Sequence, residues 1–171
     1  MFLILHSVRS AYNVGSIFRT ADAAGINKIY VCGYSPTPDN KKVVKTALGA
    51  ERLVPWEYHK QTWRLMEKLN PPSPRLRKGR GRVQIVALEQ TKKSVDYRRF
   101  RPRFPMALVV GNEVKGLSKK ILEYADKIIA IPMYGKKESL NVAVATGIAI
   151  FKIVERKKNK PRAERGQKKR L

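Results

Sequence analysis

The chain is poor in the residues that build covalent or metal-held structure. Of its 171 residues one is cysteine, Cys32, and two are histidine, His6 and His59. A single thiol excludes an intrachain disulfide, and one thiol with two imidazoles leaves no ligand set for a structural zinc site. Long hydrophobic runs are also missing. The opening Met-Phe-Leu-Ile-Leu lacks the length and basic flank of a secretory signal. The longest near-apolar stretch, residues 142–151, is about half of what spans a bilayer. These absences predict a cytoplasmic protein with no metal and no membrane partner. Acidic residues are scarce as well: 13 Asp and Glu face 37 Lys and Arg, a formal charge of +24. Solubility needs nothing of that size, so the excess implies a polyanionic partner, nucleic acid before any other.

What is present is enough for a folded body. Hydrophobic residues make up 43% of the chain, and this length supports one domain with a full core. The charge is unevenly distributed. Residues 75–82 carry +5, residues 92–103 carry +5 and residues 152–171 carry +8. The body is therefore mildly basic, with the excess on patches and a tail. Residues 70–82, Pro-rich and then basic, read as an exposed loop. Residues 157–171 read as a basic tail without a core of its own, separate from a domain over 1–156.

Apolar runs bounded by turn residues predict buried strands at 2–6, 28–32, 52–55, 83–88, 106–110 and 127–131. Helical patterns lie between them. Val14, Ile17, Phe18 and Ala21 keep i, i+3, i+4, i+7 spacing, and Gly25 stands where a C-terminal cap belongs. Residues 60–69 and 118–125 form shorter helices. Alternating strand and helix predicts an α/β fold, a mostly parallel sheet with helices on both faces. The last helix, about 140–156, has almost no polar face before residue 152. A helix apolar all round must be covered on all sides, and one domain of this size covers one face. The other face predicts a homodimer through this helix, with Ala143, Gly147 and Ala149 permitting close approach; the alternative is a central helix buried within one subunit.

Three polar clusters each follow an apolar run: 13–19 (Asn-Val-Gly-Ser-Ile-Phe-Arg), 111–113 (Gly-Asn-Glu) and 139–141 (Ser-Leu-Asn). Loops at the carboxyl ends of strands are where open α/β sheets place ligands. Taken singly, each residue has an ordinary explanation. Arg19 could be a solvated cation paired with Asp22, and Asn13 a helix N-cap. Glu113 could be a loop carboxylate at a helix N-terminus, and Ser139 an N-cap with Asn141 in the first turn. All of them together at neighbouring strand ends point instead to one assembled site.

The ordered set Asn13-x-Gly15-x-x-x-Arg19-Thr20-Ala21, Val110-Gly111-Asn112-Glu113-x-x-Gly116-Leu117 and Ile131-Pro132-Met133-x-Gly135-x-x-x-Ser139-Leu140-Asn141-Val142-Ala143-Val144-Ala145 resembles the three motifs of the SpoU/TrmH family. These are RNA ribose 2′-O-methyltransferases of the SPOUT superfamily. Residues 45–51 also resemble the segment after that family's second strand. The resemblance covers residues 1 to about 156. It implies a SPOUT-type α/β fold with a C-terminal trefoil knot, S-adenosylmethionine as cofactor, and a dimer in which the first-motif Arg of one subunit faces the cofactor of the other. The implied cofactor-binding residues are Leu88, Gly111, Glu113, Ile131, Met133 and Leu140. The implied catalytic residues are Arg19, Asn13, Glu113, Ser139 and Asn141.

A guanidinium is a poor base at neutral pH. Arg19 is therefore read as binding phosphate and stabilising the developing alkoxide. Asn13, Ser139 and Asn141 orient the ribose, while Glu113 either positions that network or accepts the proton. RNA (tRNA or rRNA) would be held at phosphates through the basic loop 75–82, Arg98–Arg103 and the tail 157–171. For the tail, a merely solubilising charge run is the alternative. A non-catalytic RNA-binding or ribosome-assembly factor on the same scaffold is the competing function. It explains the charge but not the retained polar clusters. Base methylation is the third reading, disfavoured by the ribose-type motifs.

Overall fold

The computed structural model describes residues 1–71 and 82–158. Most of the basic segment 75–82 and of the tail 157–171 lies outside the described residues. Seven strands, all paired in parallel, form one sheet: β1 (Phe2–His6), β2 (Lys28–Cys32), β3 (Trp56–His59), β4 (Gln84–Leu88), β5 (Val95–Asp96), β6 (Met106–Val110) and β7 (Lys127–Ala130). The order across the sheet is β3-β2-β1-β6-β4-β7-β5. From β1 the chain winds outward through β2 and β3, then returns to build the other half from β4 onward. The winding reverses between β1 and β6, and open α/β sheets take their ligands outside the carboxyl ends of the strands near such a point.

Period-two alternation along the strands divides the core into two layers. Leu3, Leu5, Ile29, Val31, Val86, Leu108 and Val110 face one way. They pack against α1 (Ala11–Ala23), α2 (Lys41–Ala47), α3 (Ala50–Leu53) and α6 (Val142–Lys158). Ile4, Tyr30, Cys32, Ile85, Ala87, Ala107 and Val109 face the other way, onto α4 (Thr62–Leu69) and α5 (Lys119–Glu123). Fully burying one such aliphatic side chain contributes about 1.5–3 kcal/mol, so the central strands anchor everything their loops carry. The predicted fold class, with helices on both faces, is the one observed.

α1 forms as its spacing predicts, with Val14, Ile17, Phe18 and Ala21 buried. Its end is a Schellman arrangement: Ile26 N–H donates to Ala21 O and Gly25 N–H to Asp22 O, each at 2.9 Å, with Gly25 at φ 67°. Its start differs from expectation. Ser10 is the N-cap, accepting from Asn13 N–H at 3.3 Å, so the Asn13 side chain is free for other work.

Two other expectations need correction. The strand predicted at 52–55 is displaced: Arg52 and Leu53 end α3, Pro55 ends the turn, and the strand is Trp56–His59. It is an edge strand whose residues are half-buried or exposed, so it lacks the apolar run that marks a central strand. Helices α2 and α3, and the two-residue β5, were not predicted. The last helix begins at Val142, with Ala149, Ile150 and Ile153 buried and Val144, Ile148 and Phe151 exposed.

Candidate active site

A cleft of about 760 Å³, counting its open mouth, lies at the carboxyl ends of β4, β6 and β7. Three loops line it: 88–90 after β4, 110–116 after β6, and 130–140 leading from β7 toward α6. Leu88, Gly111, Glu113, Ile131, Met133, Ser139 and Leu140, all expected from sequence, are among its walls. The loop after β6 is tightly folded. A Cβ on Gly111 would stand 2.8 Å from Gly116 C and 2.9 Å from Leu117 Cδ2. Only glycine lets the main chain close there. Asn112 Oδ1 accepts from Val114 N–H and Lys115 N–H, both at 2.9 Å, and its amide donates to Ser7 O at 3.0 Å. The turn is thereby tied to the end of β1.

A second set of contacts crosses from α1 to α6. Glu113 accepts three hydrogen bonds: Arg9 N–H to Oε2 at 2.9 Å, and Ser10 N–H and Asn13 Nδ2 to Oε1, each at 3.0 Å. Asn13 Oδ1 accepts from Asn141 Nδ2 at 3.1 Å. Asn141 Oδ1 in turn accepts from Ala143 N–H at 2.9 Å, so Asn141 caps α6, which begins at Val142; the ordinary reading of Ser139 as the cap, with Asn141 in the first turn, is corrected. One carboxylate and two carboxamides link the starts of two helices beside the cleft. Burial alone would raise the Glu113 pKa, but the bonds from Arg9, Asn13 and Ser10 outweigh it and hold the carboxyl below its usual range. Glu113 is therefore ionised at neutral pH with its lone pairs engaged, a state that suits positioning and makes it a weak proton acceptor.

Arg19 is not brought into the cleft of its own protomer. It is exposed on α1, roughly 9 Å along the helix axis from Asn13 at the usual rise per residue. Among the described residues it has no carboxylate at ion-pair distance, Asp22 included. Its neighbour Thr20 faces Gly147 on α6, where an added Cβ would stand 3.5 Å from Thr20 Cγ2. Of the basic segment Arg98–Arg103, Arg98 is already occupied: its guanidinium grips Asp96 through Nε at 3.0 Å and Nη2 at 2.6 Å. Arg99, Arg101 and Arg103 stay exposed.

Sequence reasoning missed Glu89 and Gln90. Glu89 accepts from Leu117 N–H at 2.6 Å and Gln90 N–H at 2.9 Å, and Gln90 Nε2 donates to Ile131 O at 2.6 Å. These two residues bind the three cleft loops to one another. Their only sequence signal is position, directly after a buried strand. Among the described residues, the cleft walls contain two carboxylates, Glu89 and Glu113, and no Lys or Arg. Cys32 takes no part: it is buried in β2, and burial pushes its thiol up to about 12.

Comparison with known proteins agrees with this geometry. Residues 1–151 match the profile of the SpoU rRNA Methylase family. The chain is 35% identical over 161 residues to the tRNA (guanosine(18)-2′-O)-methyltransferase of Aquifex aeolicus, covering 94% of this chain and 71% of that protein. It is 34% identical over 157 residues to the 23S rRNA (guanosine-2′-O-)-methyltransferase RlmB of Salmonella typhi, covering 91% of this chain and 60% of that one. The SpoU methyltransferase AviRb of Streptomyces viridochromogenes, solved in complex with AdoMet, superposes with a TM-score of 0.81 at 26% identity, over 92% of this chain and 60% of AviRb. The chain thus spans about three fifths of the length of two of these relatives.

Proposed function

This chain belongs to the SpoU rRNA Methylase family, and we propose that it transfers a methyl group from S-adenosylmethionine to a ribose 2′-hydroxyl of tRNA or rRNA. The observation that carries the reading is the charge of the cleft. A protein of net charge +24 presents, at the carboxyl ends of its strands, a cleft walled, among the described residues, by two carboxylates and by no cation. That electrostatic setting suits a sulfonium donor and repels RNA phosphate, which the rest of the surface attracts.

The residues present fit the donor. Leu88, Ile131, Met133 and Leu140 offer apolar walls for an adenine, and the close-packed Gly111 lets main chain approach a ligand. Bound there, S-adenosylmethionine supplies a methyl group already activated by the positive charge on sulfur. The chain's own task is then alignment and charge stabilisation. Asn13 and Asn141, fixed to each other and to the helix starts, orient the ribose, with Ser139 at the lip of the cleft. Glu113 is a positioning residue that locks Asn13. Arg19 binds phosphate and stabilises the developing alkoxide.

Arg19 does this across a dimer. Val144, Ile148 and Phe151 form an i, i+4, i+7 stripe on α6 that is 51%, 37% and 52% exposed, beside the helix that carries Arg19. A second copy covering that stripe shields it from water and turns each Arg19 toward the partner's cleft. The trefoil knot belongs to the same reading. It is supported by three neighbouring loops gathered at one cleft and by α6 packing against α1. The methyltransferase domain is taken as residues 1–156 and the tail from 157 as an RNA contact, together with 75–82 and the exposed arginines of 99–103. An RNA substrate implies the cytoplasm as the place of action. Incubation with labelled S-adenosylmethionine and bulk tRNA or rRNA tests the proposal. Label in RNA supports it, whereas RNA binding without transfer assigns the chain a scaffold role.

A further inference from the structure

On the other side of the 111–117 loop lies a second hollow of about 1110 Å³, counting its open mouth. It shares Asn112, Val114 and Gly116 with the cofactor cleft and adds His6, Ser7 and Tyr34 from the ends of β1 and β2. Its character differs from the cleft's. It contains no carboxylate, its wall is mainly apolar, and two cations, Arg9 and Lys115, belong to its lining.

The floor of the hollow is held in an uncommon conformation. Ser7 sits at φ 53°, left-handed for a residue that has a side chain. Three contacts keep it there: its N–H donates to Cys32 O at 3.0 Å, its carbonyl accepts from Asn112 Nδ2 at 3.0 Å, and its hydroxyl lies 3.5 Å from Tyr34 N. Strain kept in place by surrounding bonds concentrates at ligand sites. Next to it, Tyr34 is 90% exposed and adds nothing to the core. His6 is anchored to Thr62 Oγ1 at 2.7 Å, and burial lowers its pKa, so its imidazole is uncharged at neutral pH.

We propose that the hollow receives the base of the RNA nucleotide being methylated, with Tyr34 as its stacking platform and Arg9 and Lys115 on the flanking phosphates. The inference rests on the ribose-methylation reading and extends it to substrate recognition. A mainly apolar recess with an aromatic side chain and cations is a common solution for an unstacked base. Its position is also suitable. Arg9 N–H shares the Glu113 carboxylate with Ser10 N–H and Asn13 Nδ2, so the hollow adjoins the Asn13–Asn141 pair that orients the ribose. The strained Ser7 turn and the Asn112 loop form the wall between base and methyl donor.

Two measurements on the full chain test this. The first is methyl transfer to bulk tRNA or rRNA by the wild type, Tyr34→Ala and Tyr34→Phe. The second is ultraviolet crosslinking of the same RNA, with adducts mapped by mass spectrometry. Tyr34→Ala is expected to raise KM for RNA roughly tenfold, the size of one lost base–aromatic stack. Affinity for S-adenosylmethionine should stay within about twofold, Tyr34→Phe should behave as wild type, and wild-type adducts should map to Tyr34. Adducts at Tyr34 without any methyl transfer would sink the methylation reading while leaving the hollow as a base site. Undiminished transfer by Tyr34→Ala, with adducts elsewhere, overturns the hollow and leaves the methylation reading intact.

Discussion

The carboxamide of Asn141 donates to Oδ1 of Asn13 across 3.1 Å, joining residues 128 positions apart. Each partner has a second duty: Asn141 caps α6, and Asn13 grips Glu113 at the start of α1. The pair therefore fixes the spacing of two helix N-termini across the site. Removing either amide breaks that link.

Asn13→Ala should cut kcat about 100-fold, the usual cost of losing alignment by an ångström or so, while calorimetry shows S-adenosylmethionine binding within a few-fold of wild type. Loss of cofactor affinity in that variant would mean that Asn13 shapes the cofactor cleft and not the ribose position.

Glu113 supplies a test by pH. Its carboxyl is held below the ordinary value in the folded protein. The stability it contributes is then fully present above the unfolded pKa of about 4.3 and is lost as pH falls through the lower folded value. Glu113→Gln should be less stable than wild type at neutral pH, and the gap should close on acidification. In a positioning role, the variant's rate falls without any change in the shape of the pH–rate profile between about pH 6 and pH 9. Disappearance of a titrating limb in that range would identify Glu113 as the proton acceptor.

Arg19→Ala should abolish methyl transfer and leave cofactor binding within a few-fold. If Arg19 serves the partner's cleft, mixing it with an Asn141→Ala chain should restore activity, because one of the two sites in a mixed dimer is intact. Sedimentation should show dimers that Phe151→Asp shifts toward monomer. Failure of the mixture to recover activity, with mixed dimers demonstrated, would place Arg19 in its own protomer's chemistry.

Much of this was legible in the sequence where the physics is local. The runs at Phe2–His6 and Met106–Val110 are buried on both faces and read directly as central strands. α1 was legible from Val14, Ile17, Phe18 and Ala21. The edge strand Trp56–His59 was not, because its half-exposed residues carry no apolar run, and β5 is too short to have a pattern. In the site, the glycine-bearing loops announced themselves. Glu89 and Gln90 did not, since they act through bonds to Leu117 and Ile131, 28 and 41 positions away. Arg19 was recognisable as a motif residue, yet it is exposed on α1 and lines no wall of the cleft, so its proposed action on a partner's cleft is not legible from one protomer.

Gly15 marks the closest approach of α1 and α2. A Cβ there would collide with Thr46 Oγ1 and with the Val43 carbonyl oxygen. Gly15→Ala should destabilise the protein by about 1–3 kcal/mol, the range for overpacking a tight core, seen as a lowered urea midpoint. Adding Thr46→Ala should recover only part of the loss, because the Val43 carbonyl belongs to the backbone and remains. Full recovery would show that the threonine alone sets the helix spacing.

The most direct measurement digests RNA that has been incubated with this protein and S-adenosylmethionine, and identifies the modified nucleoside by mass. The account predicts one added methyl on the ribose fragment, absent when Arg19 is replaced and formed far more slowly when Asn13 is. A methyl group found on the base fragment, or no methyl group in any RNA despite cofactor bound in the cleft, would contradict it.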